Sequence, residues 1–321
     1  MNSPEPIGGY FGFEFKRRGL YYPDLLALNS GRNALEYILL AREYKKVYIP
    51  YFTCDVMLEP LLKHNISYEF YSVNEKLEID KLPLLQESEA LLYTNYFGLK
   101  SLYAESLKQK INRLILDNAQ AFFSHPLQQV DTIYSPRKFF GLPDGAYLAS
   151  EARLGTTFDK DANSVERCSH LLLRLDIGAE GGYAAFQKND SSLIGQPIQL
   201  MSELTTNLLS GIDYEWVRER RNQNFLFLHD KLQVYNEFKW IKSSDVNGPM
   251  VYPFYFYDPG IRQKLIDDKI FIATYWSNVF NWAAENSIEY NAATYLLPLP
   301  IDQRYNRQDM ERIVYKIKEL L

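Results

Sequence analysis

The chain has 321 residues and a mass of 37.5 kDa, more than one compact core usually organises, so we expect two domains or one large domain with an appendage. Its 46% apolar and 23% charged residues exclude a disordered or fibrous protein, and its 15% of aromatic residues can fill a core and still line a pocket. With 35 basic against 40 acidic residues, and no basic run longer than residues 16–18, we expect no nucleic-acid partner.

The sequence carries no signal for secretion, membrane insertion or metal binding. Glu5 and Glu14 stand where a signal peptide would have its apolar core, and no apolar run reaches the about 18 residues of a membrane span. The two cysteines, Cys54 and Cys168, do not make a disulfide framework or a zinc site, and the four histidines lack ligand spacing. We therefore predict a cytoplasmic protein without a metal site and without a membrane partner.

Short apolar runs alternate with helical patterns in the first half of the chain, which is typical of βαβ proteins. A helix is predicted over residues 31–43, because Leu35, Ile38 and Leu39 share one helical face. Next come a strand ending at Pro50, a helix over 57–64, and strands at 66–73, 90–97, 113–117 and 132–135. Most of these strands lack strict alternation, as expected where a parallel sheet is buried on both faces.

Helical patterns dominate after about residue 150. Helices are predicted over about 164–174, 199–209 and 214–232, and the last is long and charged enough to connect two domains. Strands at 250–257, 270–276 and 295–300 and an amphipathic helix over 307–321 follow. We therefore predict a large N-terminal α/β domain of residues 1–212, with an arm over 1–27, and a small C-terminal α/β domain of residues 213–321.

Three segments carry residues suited to chemistry, and each has a structural alternative. Asp117 ends an apolar strand, at the edge where open α/β sheets bind ligands, although it could equally cap a loop or helix. Lys138 lies among aromatic residues, Pro and Gly, which makes it a candidate for a depressed pKa and Schiff-base chemistry, although an isolated lysine is usually a solvated loop residue. Ser30, Gly31 and Arg32 open the first helix and form an anion site, unless they only cap it.

Together these segments meet the requirements of pyridoxal 5′-phosphate (PLP). Its phosphate needs a helix N-terminus, its ring nitrogen an anionic partner, and its aldehyde an amine. The carboxylate keeps the ring nitrogen protonated, so that the ring can accept electrons, and the lysine then transfers protons. We therefore predict that PLP is the cofactor.

The sequence resembles the DegT/StrS-like aminotransferases, which are fold-type I PLP enzymes associated with amino-sugar formation. The residues that carry the resemblance are Asp117 with Gln120, Ser135 with Lys138 ahead of Asp144-Gly145, and Ser30-Gly31, together with Arg220-Arg221-x-x-Asn224 and the Leu-Leu-Pro-Leu-Pro run near the C-terminus. The resemblance implies an aspartate-aminotransferase-like fold, with a three-layer α/β/α large domain and a smaller C-terminal α/β domain. It also implies a homodimer with the cofactor at the subunit interface.

The resemblance also implies a role for each matched residue. Lys138 would bind the cofactor covalently and transfer protons, Asp117 would pair with the ring nitrogen, and Gln120 would lie near the phenolic oxygen or the ring face. The phosphate would be held by Ser30, Gly31, Arg32 and Ser135. Candidates for stacking on the ring or contacting the substrate are Tyr51, Phe52, Cys54, Asn95 and Tyr96.

The implied activity is transfer of an amino group from an amino acid to a keto group, that of a nucleotide-activated sugar used in surface polysaccharide synthesis. Arg32 stands where the family usually has threonine, and the family's G-x-N-x-R loop, which reaches the partner subunit, is not recognisable around residues 199–215. The alternatives are another PLP reaction, such as dehydration or elimination, or a non-catalytic regulatory role. The presence of Lys138 favours an enzyme.

Overall fold

The computed structural model describes residues 7–321, so Glu5 and the first residues of the predicted arm lie outside it. Its central element is a seven-stranded sheet. The strands are β1 (Leu26–Leu28), β2 (Lys46–Pro50), β3 (Ser67–Tyr71), β4 (Glu89–Thr94), β5 (Leu114–Asp117), β6 (Asp131–Tyr134) and β7 (Ala146–Ala149). Four of the five predicted strands of this half match β2, β3, β5 and β6, and the fifth matches β4 but ends earlier than predicted.

The strand order of this sheet is β1-β7-β6-β5-β4-β2-β3. The neighbours from β6 through β5, β4 and β2 to β3 are parallel, whereas β7 runs antiparallel to both β6 and β1. Because β1 and β6 both run antiparallel to β7, β1 has the same direction as β2, β3, β4, β5 and β6. The carboxyl ends of these six strands therefore lie at one edge of the sheet, called the carboxyl edge below.

Helices cover both faces of the sheet. On one face α1 (Gly31–Ala41) and α2 (Glu59–Lys63) pack against the sheet, with Leu35, Ile38 and Leu39 of α1 in one buried cluster with strand residues such as Ile115 and Ile133. The other face carries α3 (Ser101–Lys108) and shares a single continuous core with the C-terminal part of the chain. The predicted first helix is thus confirmed, together with the face that it buries.

The C-terminal part begins after α5 (Glu203–Ser210) with α6 (Tyr214–Leu232), which matches the predicted connecting helix. The Asp213 side chain caps its N-terminus by accepting the Trp216 N–H at 3.2 Å. A two-stranded antiparallel sheet pairs β8 (Val251–Tyr255) with β9 (Leu296–Pro300). The remaining helices are α7 (Gly260–Asp267), α8 (Val279–Trp282), α9 (Ile288–Tyr295) and the amphipathic α10 (Arg307–Leu320).

The segment between the sheet and α5 differs from the sequence prediction. A short helix was expected over 164–174, but α4 spans Ser169–Ser192 and is interrupted at Gly178, which has a φ of +84°. The two halves fold back on each other, because a Cβ on Gly182 would lie 3.2 Å from the backbone of Arg174 and His170. Gly178 and Gly182 therefore form the turn and the close contact of a helical hairpin.

The predicted strand over residues 270–276 is wrong. Ile270 and Ile272 are buried and Phe271 between them is exposed, so the side chains alternate as they would in a strand. The segment nevertheless has no regular structure, because within residues 7–321 β8 pairs with β9 alone and no strand hydrogen-bonds to this segment. The alternating pattern in the sequence therefore indicates which side chains are buried, but it does not indicate that the segment pairs with a strand.

Candidate functional site

Asp117 and Lys138 meet at the carboxyl edge. Asp117 is the last residue of β5 and lies opposite Thr94 of β4 and Ile133 of β6. Lys138 follows β6 within a 3-10 turn (Pro136–Lys138), and we call residues 135–139 the lysine turn. Because β5 and β6 are adjacent and parallel, the strand-end carboxylate and the lysine lie on neighbouring strand ends, as the sequence predicted.

The Asp117 carboxylate is buried and acts electrostatically on its surroundings. Its Oδ1 accepts the backbone N–H of Ala119 at 2.9 Å, which fixes the orientation of the side chain. Burial raises the pKa of Asp117, and the positive charge of Lys138 opposes that shift. The lysine is therefore close enough to stabilise the ionised carboxylate, while its own side chain is exposed at the edge.

The start of α1 provides a candidate anion site at the same edge. Ser30 is buried and caps the helix: its Oγ accepts the Asn33 N–H at 3.3 Å and donates to Asn33 Oδ1 at 2.6 Å. A Cβ at Gly31 would meet nothing nearer than an Ile133 methyl at 3.9 Å, so the space in front of the helix is open. The backbone N–H groups of the first turn face this space.

Arg32 adds a buried positive charge to the start of α1. Its side chain is 9% exposed, and its Nε lies 3.0 Å from Glu59 Oε2 without the geometry of a hydrogen bond. Ser135, at the first position of the lysine turn, is half-buried, and its side chain makes no capping hydrogen bond there. Arg32 thus has an ion-pair partner but retains donors for a further anion.

Several buried polar atoms at the carboxyl edge have no hydrogen-bond partner among the described residues. Gln120 accepts the Phe97 N–H at 2.8 Å through Oε1, but its Nε2 is buried and unpaired. Two more side-chain atoms are buried and unpaired: Thr94 Oγ1, on the neighbouring strand opposite Asp117, and Asn118 Nδ2, on the residue that follows Asp117. Buried unpaired polar groups are costly, so their concentration beside Asp117 fits a polar ligand that would satisfy them.

The five candidates for ring stacking or substrate contact lie in different environments. Phe52 and Tyr96 are fully buried in the core, where the Tyr96 hydroxyl donates to the Phe52 carbonyl at 2.8 Å. Tyr51 stacks on Phe70 with ring centroids 4.7 Å apart. Asn95 is also fully buried, and its amide donates to Ser101 Oγ and Asn118 Oδ1, both at 3.1 Å.

Cys54 differs from the other four candidates. It is half-buried, burial raises the pKa of its thiol, and the charge of Lys138 opposes that shift. The structure thus places Cys54 where the charge of Lys138 acts on its thiol, whereas the side chains of Phe52, Asn95 and Tyr96 are buried.

The acidic-Gly stretch after the lysine turn has a structural function. Asp144 is fully buried, and its carboxylate accepts the Ser202 N–H at 2.9 Å, the Ser202 hydroxyl at 2.7 Å and the Thr205 hydroxyl. Gly145 has a φ of +120° and donates to the Asn29 carbonyl at 2.7 Å, immediately before Ser30. These bonds attach residues 144 and 145, which follow the lysine turn, to the start of α5 and to the start of α1.

Sequence reasoning missed two arginines near the lysine turn. Arg137 is inside the turn, its side chain is 17% exposed, and its charge is paired with Asp190 at 3.2 Å. Burial lowers the pKa of Arg137, and the nearby charge of Arg32 acts in the same direction. Arg221 of α6 contacts the Phe139 carbonyl. The position of Arg137 directly before Lys138, in the Ser-Pro-Arg-Lys run, was the only sequence signal for it. Arg221 belongs to a motif that carries the family resemblance, but the sequence predicted no role for it.

Two classes of site are not seen in the described part of the chain. Within residues 7–321, no group of three or more His, Cys, Asp or Glu side chains is arranged to hold a metal ion. None of the helices in the same range is long and apolar enough to cross a membrane.

Comparison with known proteins identifies the fold. Neither a scan against protein-family profiles nor a search of curated proteins gives a match. Among solved structures, a DegT/DnrJ/EryC1/StrS aminotransferase from Brucella abortus is 13% identical with a TM-score of 0.59, and the match covers 92% of this chain and 85% of that one. DesI, solved with its TDP-sugar product, is 13% identical with a TM-score of 0.61 and coverage of 91% and 79%.

A third solved structure was determined with a cofactor. NtdA from Bacillus subtilis, with bound PMP, is 15% identical with a TM-score of 0.60, and the match covers 92% of this chain and 72% of that one. At these identities the likeness establishes the fold, and it extends over nearly the whole chain. The protein therefore has the fold of the DegT/StrS-like sugar aminotransferases, which confirms the predicted fold-type I α/β architecture.

Proposed function

We propose that this protein is a PLP-dependent aminotransferase that transfers an amino group from an amino acid to the keto group of a nucleotide-activated sugar. The observation that carries the proposal is the placement of buried Asp117 and of Lys138 on adjacent strand ends, where the lysine charge acts on the carboxylate, at the edge where α1 begins. The shared fold supports it, because the solved relatives include sugar aminotransferases, one with a TDP-sugar product and one with PMP.

The residues at the carboxyl edge fit PLP by their chemistry. Lys138 provides the amine, Asp117 the anion for the ring nitrogen, and the start of α1 with Arg32 the donors for a phosphate. The unpaired Nε2 of Gln120 provides a donor for an oxygen on the ring. When bound, PLP supplies an electron-accepting ring that stabilises negative charge on the substrate's α-carbon.

Each side chain then has a task that follows from its position. Lys138 is exposed at the edge, so its amine can take up a proton from the substrate and return it. The Asp117 carboxylate is buried, and its hydrogen bond from the Ala119 N–H fixes its orientation. Cys54 occupies the position beside Lys138, and we propose it as a contact to the cofactor or the substrate.

We propose a homodimer in the setting of a cytoplasmic pathway for surface polysaccharides. In the arm, Tyr10, Phe11 and Phe13 are exposed by 98%, 94% and 75%, and in the hairpin of α4, Leu175 is exposed by 86%. Large exposed apolar side chains, such as those on these two segments, are typical of an interface. We also propose a domain boundary at residues 212 and 213, between α5 and α6.

Reconstitution with PLP tests the proposed function. The wild-type protein should develop a visible absorption band, and borohydride should fix the cofactor on the peptide that contains Lys138. Lys138→Ala should fold normally without the band, while Lys188→Ala, which changes an exposed lysine of α4, should behave as the wild type. Labelling of a different peptide, or the absence of a band in the wild type, would overturn the assignment.

The amino-group transfer itself is tested with substrates. One member of a panel of amino acids should bleach the visible band, and a keto-sugar nucleotide should restore it with formation of an aminated sugar. Failure of every amino acid to bleach a normal band would favour a PLP reaction other than transamination.

A further inference from the structure

Arg221 is a fully buried arginine whose donors all point toward backbone carbonyls and one amide. Its side chain lies on α6 and is 1% exposed. Its Nη1 donates to the carbonyls of Pro249 and Met250, both at 3.1 Å, and its Nη2 donates to the Phe139 carbonyl at 3.3 Å. The remaining donor, Nε, bonds to Gln303 Oε1 at 3.1 Å.

Burying the charged guanidinium of Arg221 away from water costs free energy of desolvation. Burial lowers the pKa of Arg221 to about 10, and the charge of Asp302 opposes that shift. No carboxylate among the described residues forms a salt bridge with it, so carbonyl oxygens and the ring of Phe139, 4.5 Å below the guanidinium, replace an ion-pair partner. An arginine kept at this cost calls for a function beyond filling space.

The contacts of Arg221 converge on the residue next to Lys138. The Phe139 carbonyl accepts from Gln303 Nε2 at 2.8 Å as well as from Arg221. The Phe139 N–H donates to the Pro136 carbonyl at 2.9 Å, and the Lys138 N–H donates to the Ser135 carbonyl at 3.2 Å. The lysine turn is therefore closed internally by its own hydrogen bonds and held at its end by α6 and the turn after β9.

We propose that Arg221, together with Gln303, is a positioning residue that holds the backbone of the lysine turn and thereby places the Lys138 amine relative to Asp117. The Lys138 side chain is exposed, so the backbone to which it is attached decides where its amine can reach. We call the bonds from Arg221 and Gln303 to the Phe139 carbonyl the clamp. This inference rests on the proposed function, because the lysine that the clamp would position is the one that would bind the cofactor.

Two variants loosen the clamp without changing its charge. Gln303→Met removes the 2.8 Å bond to the Phe139 carbonyl and the acceptor of the Arg221 Nε bond, at a half-buried position. Arg221→Lys keeps the positive charge but loses the planar fork that reaches several carbonyls. The matched control is Asn236→Ala, because Asn236 is equally buried in the C-terminal part and its amide donates to the Pro253 carbonyl at 2.9 Å, with no bond to the lysine turn or to the turn after β9.

The readouts, measured on the PLP-reconstituted proteins, are the pH midpoint of the visible band and the rate at which hydroxylamine releases the cofactor. We expect Gln303→Met and Arg221→Lys to shift the midpoint by about half a pH unit or more and to change the release rate about threefold, while Asn236→Ala stays near the wild type. A purely structural function would alter stability in all three variants and move neither readout selectively.

The outcomes separate this inference from the proposed function. A normal band in the wild type with unchanged readouts in Gln303→Met overturns the clamp and leaves the aminotransferase proposal intact. An equal shift in Asn236→Ala also overturns it, because general loosening of the C-terminal part would then be the cause. A wild-type protein without any visible band overturns both proposals. If Arg221→Lys does not fold, Gln303→Met decides the question.

Discussion

Replacing Asp117 with asparagine removes one charge from the site with little change of shape. The asparagine Oδ1 can accept the Ala119 N–H as the carboxylate does at 2.9 Å, so the local backbone should be preserved. Asp117→Ala, in contrast, removes that acceptor and leaves a buried N–H unpaired, at a cost of about 1–3 kcal/mol. We therefore expect the alanine variant to be less stable than the asparagine variant by about that amount.

The same substitution changes how stability depends on pH. Because burial raises the pKa of Asp117 in the folded protein, the folded state binds the proton more tightly than the unfolded state does. The ionised carboxylate thus lowers the stability of the cofactor-free wild type at neutral pH, and stability recovers as the pH falls through the folded pKa. Asp117→Asn should be at least as stable as the wild type at pH 7, with a difference that shrinks toward low pH.

Catalysis should suffer although the fold does not. Attachment of PLP requires only the Lys138 amine and the aldehyde, so the visible band should still form in Asp117→Asn. Loss of one preorganised electrostatic partner costs on the order of 10²–10³ in rate, which we expect for abstraction of the substrate's α-proton. The assay is exchange of that proton for solvent deuterium, followed by NMR with the amino acid that bleaches the wild-type band, together with urea unfolding at pH 7 and at lower pH.

Asp144→Asn serves as the matched control for this experiment. Asp144 is as buried as Asp117 but binds Ser202 and Thr205, so its replacement should lower stability and leave proton exchange in the folded holoenzyme near the wild-type rate. Near wild-type exchange in Asp117→Asn would show that another carboxylate faces the ring. A large loss of stability in Asp117→Asn would refute the reasoning from burial.

Two further predictions concern the phosphate and the assembly. Arg32→Ala should weaken PLP binding by about 1.5–3 kcal/mol, because a charge-assisted hydrogen bond is lost beside the start of α1. The affinity is measured by titration of the visible band. An unchanged affinity would show that Arg32 is only the ion-pair partner of Glu59. The wild type should sediment as a dimer, and replacing Phe11 and Phe13 with serine should weaken it; a monomer at every concentration with bound, active PLP would contradict the dimer.

Local signals in the sequence determined five of the seven strands of the large sheet and the pair of reactive residues. The apolar run 113–117 forms its predicted strand because it has a strand on each side to pair with, and the helix at 214–232 carries its own N-cap, Asp213. Because parallel strands end at one edge, placing Asp117 and Lys138 after two such strands was enough to predict that they lie close together. These inferences need only short-range information.

The tertiary structure decided the features that depend on distant partners. The apolar run 270–276 is not a strand because no strand lies beside it, and the glycines around Gly178 form a hairpin because its halves pack together. Phe52 and Tyr96 were candidates for the ring face, but they bury their rings in the core. The clamp on the lysine turn joins residues 139, 221 and 303, which are brought together only by folding, since hydrogen bonds between side chains and distant carbonyls leave no periodic trace in a sequence.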